Sequence, residues 1–383
     1  MSSRTCPFSH IIIFGTGLIG GSVAYALRDA YDGVDVKGVD VDPATVERAV
    51  SEHLVSACAR PDAPEVAAWL SDPALDLVII ATPVSASKSI FEMIEASGFR
   101  GTITDVSSTK RVIVANAEQT LSDTSRFIPG HPMAGSEVNG LDGARSKLFN
   151  GSYWILCPDE HCDADRFTRL HEFLTGFGAR VISIDRDHHD EIVAIVSHVP
   201  HMTATALMQL ADNHAKDSHE LFRLAAGGFK DSTRIAAGSP ALWCGIALDN
   251  REALADGLSE FGKILADMED AIRSGDAARL TEILAQSART RRSLPAAWIP
   301  DSSALIQVRI PMADRSGVIA DVTGIAGKAG CNIQSIDIDH INEDNAVLEL
   351  ILTDEGDIGQ FTTLLLKKGF DFSFSPLADA LSE

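Results

Sequence analysis

The stretch HIIIFGTGLIGGSVAYAL, residues 10–27, leaves little choice of fold. A β-branched run ends at Gly15, Gly17 and Gly20, and a helical apolar pattern follows them. Strand, G-x-G-x-x-G and helix together open a βαβ unit that binds a dinucleotide. Gly15 permits a tight turn, Gly17 lets the backbone approach a pyrophosphate, and Gly20 allows the helix to lie close to the strand. The first helical N–H groups, on Leu18 and Ile19, face the phosphates. The next strand, VDVKGVDVD, ends in Asp40, twenty residues past Gly20. Its carboxylate suits the ribose hydroxyls and repels a 2′-phosphate, which favours NAD over NADP; Asp42 is the alternative for that role. The plain alternative is a set of glycines serving only a turn.

The same alternation continues. ALDLVIIATP (74–83), GTITDVSS (101–108) and RFIPG (126–130) read as further strands. GSYWILCP and ARVISID add two more, with a helix from about 163 to 176 between them. This is an α/β chain with a parallel sheet wound on both faces, a Rossmann-type dinucleotide-binding domain over 1–184. Near Asp185 strands stop, and long segments with helical spacing run to about residue 299, interrupted by the glycines of 222–240. An all-helical second domain over 185–299 follows. PAAWIPDSSA (295–304) reads as a linker, and 300–383 reads as strand–helix–strand–strand–helix–strand, a ferredoxin-like unit. A length of 383 residues suits two or three such domains.

Charge and cysteines limit the partners. A net charge of −22 argues against nucleic acid or an anionic membrane as partner. The six cysteines are scattered, without a zinc spacing, so they read as reduced thiols of a cytoplasmic protein that needs no metal. No apolar run reaches membrane-spanning length, and MSSRTCPFSH does not read as a secretion signal.

Four segments carry candidate chemistry. IPGHPMAGSE (128–137) holds His131 at a stiff corner after a strand, where loops face the ligand crevice and an imidazole suits a general base. DVSSTK (105–110) brings Ser107, Ser108 and Lys110 toward the same crevice; for either serine the plain alternative is a helix cap. SHVPH sets His198 and His201 three apart on a helix that Pro200 kinks. KDSTR sets Asp231 and Arg234 three apart; Arg234 suits a bidentate carboxylate clamp, or an intrahelical pair with Asp231.

FGTGLIGGS, DVSSTK, PGHPMAGSE, SHVPH, GGFKDSTRIA and SPALWCGIALDN occur in that order. Together they resemble the TyrA family of prephenate and arogenate dehydrogenases over about residues 10–295. Residues 303–383 resemble an ACT regulatory domain, with CNIQSI matching its N-I-x-x-I segment and Ser316 departing from its usual proline. The resemblance implies NAD-dependent oxidative decarboxylation of prephenate to 4-hydroxyphenylpyruvate, with arogenate as the alternative substrate. It implies His131 as base and Ser108 as the holder of the ring hydroxyl. Arg234 and His201 would contact the substrate, Trp243 would be an aromatic wall, and Glu137 and Asp231 a carboxylate pair at the entrance. It further implies a homodimer and feedback by tyrosine at Asp314, Gly317, Asn332 and Ile333. A β-hydroxyacid dehydrogenase would need asparagine four residues after its lysine, but Arg234 follows Lys230 there. A non-catalytic NAD-responsive regulator is the more distant alternative.

Overall fold

The computed structural model describes residues 5–136, 138, 140–215, 221–293, 306–313, 317–340, 345–353 and 356–376. The chain divides into two compact units, Met1–Leu265 and Ala266–Glu383.

In the first unit, β1 (His10–Phe14), α1 (Leu18–Ala30), β2 (Asp35–Val39), α2 (Pro43–Ser51), β3 (Ala57–Ala59) and α3 (Pro64–Leu70) form the first half of the nucleotide fold. The second half holds β4 (Leu77–Ile80), α4 (Ser87–Ser97), β5 (Thr102–Asp105), α5 (Arg111–Thr120) and β6 (Phe127–Ile128). The six strands pair in parallel in the order β3-β2-β1-β4-β5-β6. Both faces are covered, so the central strands are apolar throughout. Ile11 and Ile13 pack into the core on one face, and Ile12 and Phe14 into the core on the other.

The segment 126–130 is not one strand, and the later strands do not extend the large sheet. Pro129 has no N–H to continue a ladder, and the chain leaves the sheet there. It resumes as β7 (Gly130–Pro132), which pairs antiparallel with β8 (Tyr153–Leu156); β8 in turn pairs in parallel with β9 (Arg180–Ser183). α6 (Ala164–Gly176) connects β8 and β9. His131 therefore sits on a short strand opposite Ile155, not on an open loop.

α7 (Arg186–Val193) starts at Asp185, whose carboxylate accepts from the N–H groups of Asp187 and His188. It passes through a π-helical turn, Ala194–His198, into α8 (Val199–Ala215). The kink expected at Pro200 is thus a wide turn placed just before it, a usual device for absorbing a missing helical donor. α9 (Gly227–Thr233), α10 (Pro240–Asp249) and α11 (Arg251–Ser274) follow; α10 has Pro240 in its first turn and Ser239 as its cap. Among the described residues no helix is long and apolar enough to cross a membrane.

The second unit begins within α11 and contains α12 (Ala277–Ser293). Its remainder is β10 (Ile306–Ala313), α13 (Val318–Lys328), β11 (Ile333–His340), β12 (Asn345–Leu352), α14 (Ile358–Lys367) and β13 (Ser373–Pro376). The four strands make an antiparallel sheet in the order β11-β12-β10-β13. Val308, Ile310, Leu348 and Leu350 alternate inward from it onto Val322, Phe361 and Leu365 of the helices.

Candidate active site

The glycine loop joins β1 to α1. Gly15 has φ +87°, and a Cβ there would lie 2.5 Å from the Ala81 carbonyl oxygen. A Cβ on Gly20 would lie 1.9 Å from the Gly15 carbonyl oxygen, so only glycine lets α1 lie this close to the strand end. Gly17 caps α1 without any side chain, and the first-turn N–H groups have no helical partner. Gly17, Leu18 and Ile19 are partly exposed at this point, while Gly15 and Gly20 are buried. Asp40, just past β2, accepts from the Thr16 N–H at 2.7 Å and from the Asp42 N–H at 3.0 Å. Asp42 instead caps α2, accepting from Thr45 N and Thr45 Oγ1. The buried Thr82 Oγ1 has no partner among the described residues, and its methyl lies 3.1 Å from where a Gly15 Cβ would be. Free helical donors, a cradle that a Cβ would fill, an acidic residue at the strand end and an orphaned hydroxyl fit a dinucleotide.

Beyond the ends of β5 and β6, buried polar groups interlock. Lys110 is fully buried and its ammonium donates to Asp105 Oδ2 at 2.5 Å, to the Gly130 carbonyl at 2.5 Å and to Ser107 Oγ at 3.0 Å. Asp105 Oδ1 accepts from Gly130 N at 3.0 Å, and Ser107 Oγ also donates to Asp105. A Cβ on Gly130 would lie 2.7 Å from the Asp105 carbonyl oxygen. The strut therefore fixes the residue before His131 from both of its backbone groups. Neither serine caps α5. The N-cap position is Lys110, and the Asp190 carboxylate from α7 accepts from Lys110 N at 2.8 Å and Arg111 N at 2.9 Å. Ser108 is left partly exposed between the tethered Ser107 and buried Thr109.

His131 Nδ1 lies 2.9 Å from His189 Nε2, and His189 Nδ1 lies 2.8 Å from Asp190 Oδ1. Burial pushes the His131 imidazole well below its ordinary value, and the Lys110 ammonium, His189 and His198 push the same way. Burial raises the Asp190 carboxyl, but the His189 bond and the Arg111 and Lys110 N–H groups outweigh it, so the carboxyl stays below its usual range. Asn250, at the end of α10, donates to the Asp190 carbonyl at 2.7 Å and lies 3.3 Å from His198 Nδ1. Burial brings His198 down to about 4 against the attraction of Asp190, with His189 and His201 adding to the fall.

The row continues into α8 and α10. The His198 ring meets Trp243 edge-on at 6.1 Å, and His201 stacks on the same indole at 3.5 Å with 12° between planes. His201 is buried, its pKa is lowered by that burial, and its Nδ1 has no partner among the described residues. A Cβ on Gly238 would meet Trp243 Nε1 at 2.6 Å and His201 Cε1 at 3.3 Å. Arg234 heads the short 3₁₀ segment Arg234–Ala237 that leads to this glycine, and it is exposed, as is Asp231 on α9. His131 is thus linked through His189, Asp190 and Asn250 to His198, Trp243 and His201, with Arg234 on the segment leading to the far end. Glu137 lies outside the described residues.

His189, Asp190, Asn250 and Asp105 were not among the expected site residues. A signal existed for two of them: His-His-Asp in the first turns of a helix whose cap, Asp185, is already satisfied. In the second unit Gly317 has φ +94° and precedes α13, Asn332 is exposed with its carbonyl accepting from Thr353 N, and Ile333 begins β11. Asp314 lies outside the described residues.

Proteins of known identity resemble this chain over most of its length. The model of the prephenate dehydrogenase nucleotide-binding domain matches residues 23–183, and that of the prephenate dehydrogenase dimerization domain matches 185–286. Prephenate dehydrogenase of Bacillus subtilis (strain 168) is 31% identical over 351 residues, which cover 91% of this chain and 93% of that one. The crystal structure of Aquifex aeolicus prephenate dehydrogenase in complex with hydroxyphenyl propionate and NAD+ is 28% identical, with a TM-score of 0.69 over 76% of this chain and 100% of that one. Synechocystis arogenate dehydrogenase is 31% identical, with a TM-score of 0.62 over 74% of this chain and 99% of that one.

Proposed function

The chain belongs to the prephenate dehydrogenase family, and from that premise we propose that it converts prephenate to 4-hydroxyphenylpyruvate and carbon dioxide with NAD as oxidant. What carries the reading is His131: a neutral, buried imidazole on a strand fixed by the Lys110 strut, linked through His189, Asp190, Asn250 and His198 to the Trp243–His201 wall.

NAD, when bound, supplies the acceptor for the hydride leaving the ring carbinol carbon. Gly17, Leu18, Ile19 and Asp40 would hold it, with Gly15 and Gly20 shaping the loop. His131 accepts the hydroxyl proton as that carbon is oxidised. The ring carboxylate then departs as carbon dioxide, its bonding electrons making the ring aromatic, and the new phenolic oxygen takes the proton back. Ser108 holds the hydroxyl. Arg234 clamps the side-chain carboxylate, His201 offers it a further contact, and Trp243 walls the ring. The carboxylates Asp231 and Glu137 are assigned to the substrate by the family resemblance alone. Arg234→Gln should raise KM for prephenate by about ten- to a hundredfold with a smaller change in kcat; an unchanged KM would remove the clamp.

Arogenate, with an amino group where prephenate has a keto group, is the second reading, favoured by the likeness to the Synechocystis enzyme. Initial rates of NADH formation at 340 nm with each compound separate the two. Prephenate is expected to have the higher kcat/KM.

The strand–helix–strand–strand–helix–strand order and the sheet order β11-β12-β10-β13 support a ferredoxin-like ACT domain in the second unit. The Bacillus subtilis match spans 91% of this chain, whereas the whole Aquifex aeolicus chain is accounted for by 76% of it. The extra quarter therefore serves a purpose other than the core reaction. L-Tyrosine bound near Asp314, Gly317, Asn332 and Ile333 would act as feedback inhibitor, and the region matched by the dimerization model would form a homodimer. Tyrosine added to the full chain should lower the rate; competitive inhibition surviving Asn332→Ala unchanged would place tyrosine in the substrate pocket instead.

A further inference from the structure

We propose that His189 and Asp190 are positioning residues that hold His131 in the tautomer with its proton on Nδ1, leaving the Nε2 lone pair as the base. The proposal rests on the reading above.

The argument is one of donors and acceptors. An ionised carboxylate only accepts. Asp190 already accepts from the N–H groups of Lys110 and Arg111, which anchor it at the start of α5, and its carbonyl is tied to Asn250. His189 Nδ1, at 2.8 Å from Asp190 Oδ1, must therefore carry a proton. A neutral imidazole has only one, so His189 Nε2 is a bare acceptor. His131 Nδ1, 2.9 Å away, must then donate. That places the only N–H of neutral His131 on Nδ1 and its lone pair on Nε2. A doubly protonated His189 would reverse the order, but it would put a cation in a fully buried site, beside a carboxylate whose charge the Lys110 and Arg111 N–H groups already share. The neighbouring His188 does not share this role: it is exposed and faces Glu191 at 3.6 Å.

The reaction makes this arrangement useful. The proton removed from the hydroxyl is returned to the phenolic oxygen, so none is released overall. The base has to hold a proton briefly and give it back. His131 carrying that proton would keep donating through Nδ1 to His189, and His189 through its own Nδ1 to Asp190, so the transient charge is shared along two bonds already made. No rearrangement is needed between the two half-steps.

Two measurements on the full chain test this. Nitrogen-15 NMR of histidine-labelled protein, with His131 assigned from the spectrum of His131→Asn, should show Nδ1 protonated and Nε2 bare at neutral pH; the reverse pattern overturns the proposal without any kinetics. His189→Leu removes the acceptor, whereas His189→Gln keeps an oxygen near Nε2. We expect the Leu variant to lose kcat on the order of 10²-fold with KM for prephenate and NAD little changed, and the Gln variant to recover part of it. A residue that only filled space would alter both variants alike and would move KM and thermal midpoint together. If wild type turns over prephenate and His131→Asn does not, but His189→Leu keeps kcat, the relay is wrong and the assignment of His131 stands. If wild type makes no NADH from prephenate or arogenate, the functional reading fails, and the NMR pattern still decides the relay.

Discussion

The glycine loop and the histidine row solve opposite problems. At the loop, function requires side chains to be absent. Gly15 and Gly20 have no room for a methyl group, and the groups offered to a ligand are backbone N–H donors at the start of α1. At the histidine row the chemistry depends on buried side chains, most of them tied to one another by hydrogen bonds. Lys110 uses three acceptors, and Asp190 accepts from two N–H groups and a ring. A backbone-built site binds and tolerates changes in charge nearby. A side-chain network in a dry interior sets protonation states, and one missing atom leaves a buried group unsatisfied.

The sharpest way to test that contrast is to damage one region and measure the other. His131→Asn keeps a polar side chain on β7 but removes the imidazole proposed as base. It should lower kcat by about 10²- to 10⁴-fold while the dissociation constant for NAD stays within about twofold. Stopped-flow rates with fluorescence titration of the dinucleotide measure both. Loss of NAD affinity in parallel with kcat would mean that the two regions are one structural unit, and the comparison would collapse.

Acid should separate them by stability. His131 and His198 are held neutral in the folded chain, chiefly by burial, with His198 down to about 4; His201 is shifted the same way. In the unfolded chain each has a pKa of about 6.5. Below that value the unfolded state binds more protons, so stability rises with pH and is fully present above about 7. It is lost as pH falls from about 6.5 toward about 4, at up to roughly 1.4 kcal/mol per pH unit for each histidine. Asp190, whose folded pKa is lowered, acts in a lower window, below the unfolded carboxyl value of about 3.9. Urea midpoints between pH 7 and 5 should therefore fall, and His198→Gln should make the fall shallower. A flat profile would mean that the histidines take up protons without unfolding cost.

What could be read from the sequence follows the same division. Gly15, Gly17, Gly20 and Asp40 are legible because the device is local: one loop and the end of the next strand. The four strands and two helices described after residue 303 are legible for a similar reason, since each has its own apolar period. The histidine row is not local. His131 and His189 are 58 positions apart, and Asp190 and Asn250 are 60 apart. A single sequence carries no record of such pairings. Pro129 was visible, but its effect of moving His131 from the large sheet to a second one depends on β8, more than twenty residues later. Ser107 and Ser108 looked like caps because caps are usually local; the cap of α5 comes instead from Asp190, on a different helix.

The smallest expected effect tests the loop at its one tolerant glycine. Gly17 has φ −76° and ψ −142°, outside the regular helical and extended regions, and among the described residues a Cβ there would have as its nearest neighbour the Gly140 Cα at 3.9 Å. A methyl at 17 therefore meets only ordinary van der Waals contact in the free protein, unlike one at 20, which would collide with the Gly15 carbonyl. The added methyl would instead stand beside the first-turn donors, where the backbone must come close to the pyrophosphate. Gly17→Ala should weaken NAD binding about tenfold, roughly 1.4 kcal/mol, with thermal midpoint and kcat at saturating NAD almost unchanged. Isothermal titration and a thermal melt measure the two quantities. A lowered midpoint with unchanged affinity would show that Gly17 serves the turn alone, and the loop would then owe its dinucleotide fit to Gly15, Gly20 and Asp40 without it.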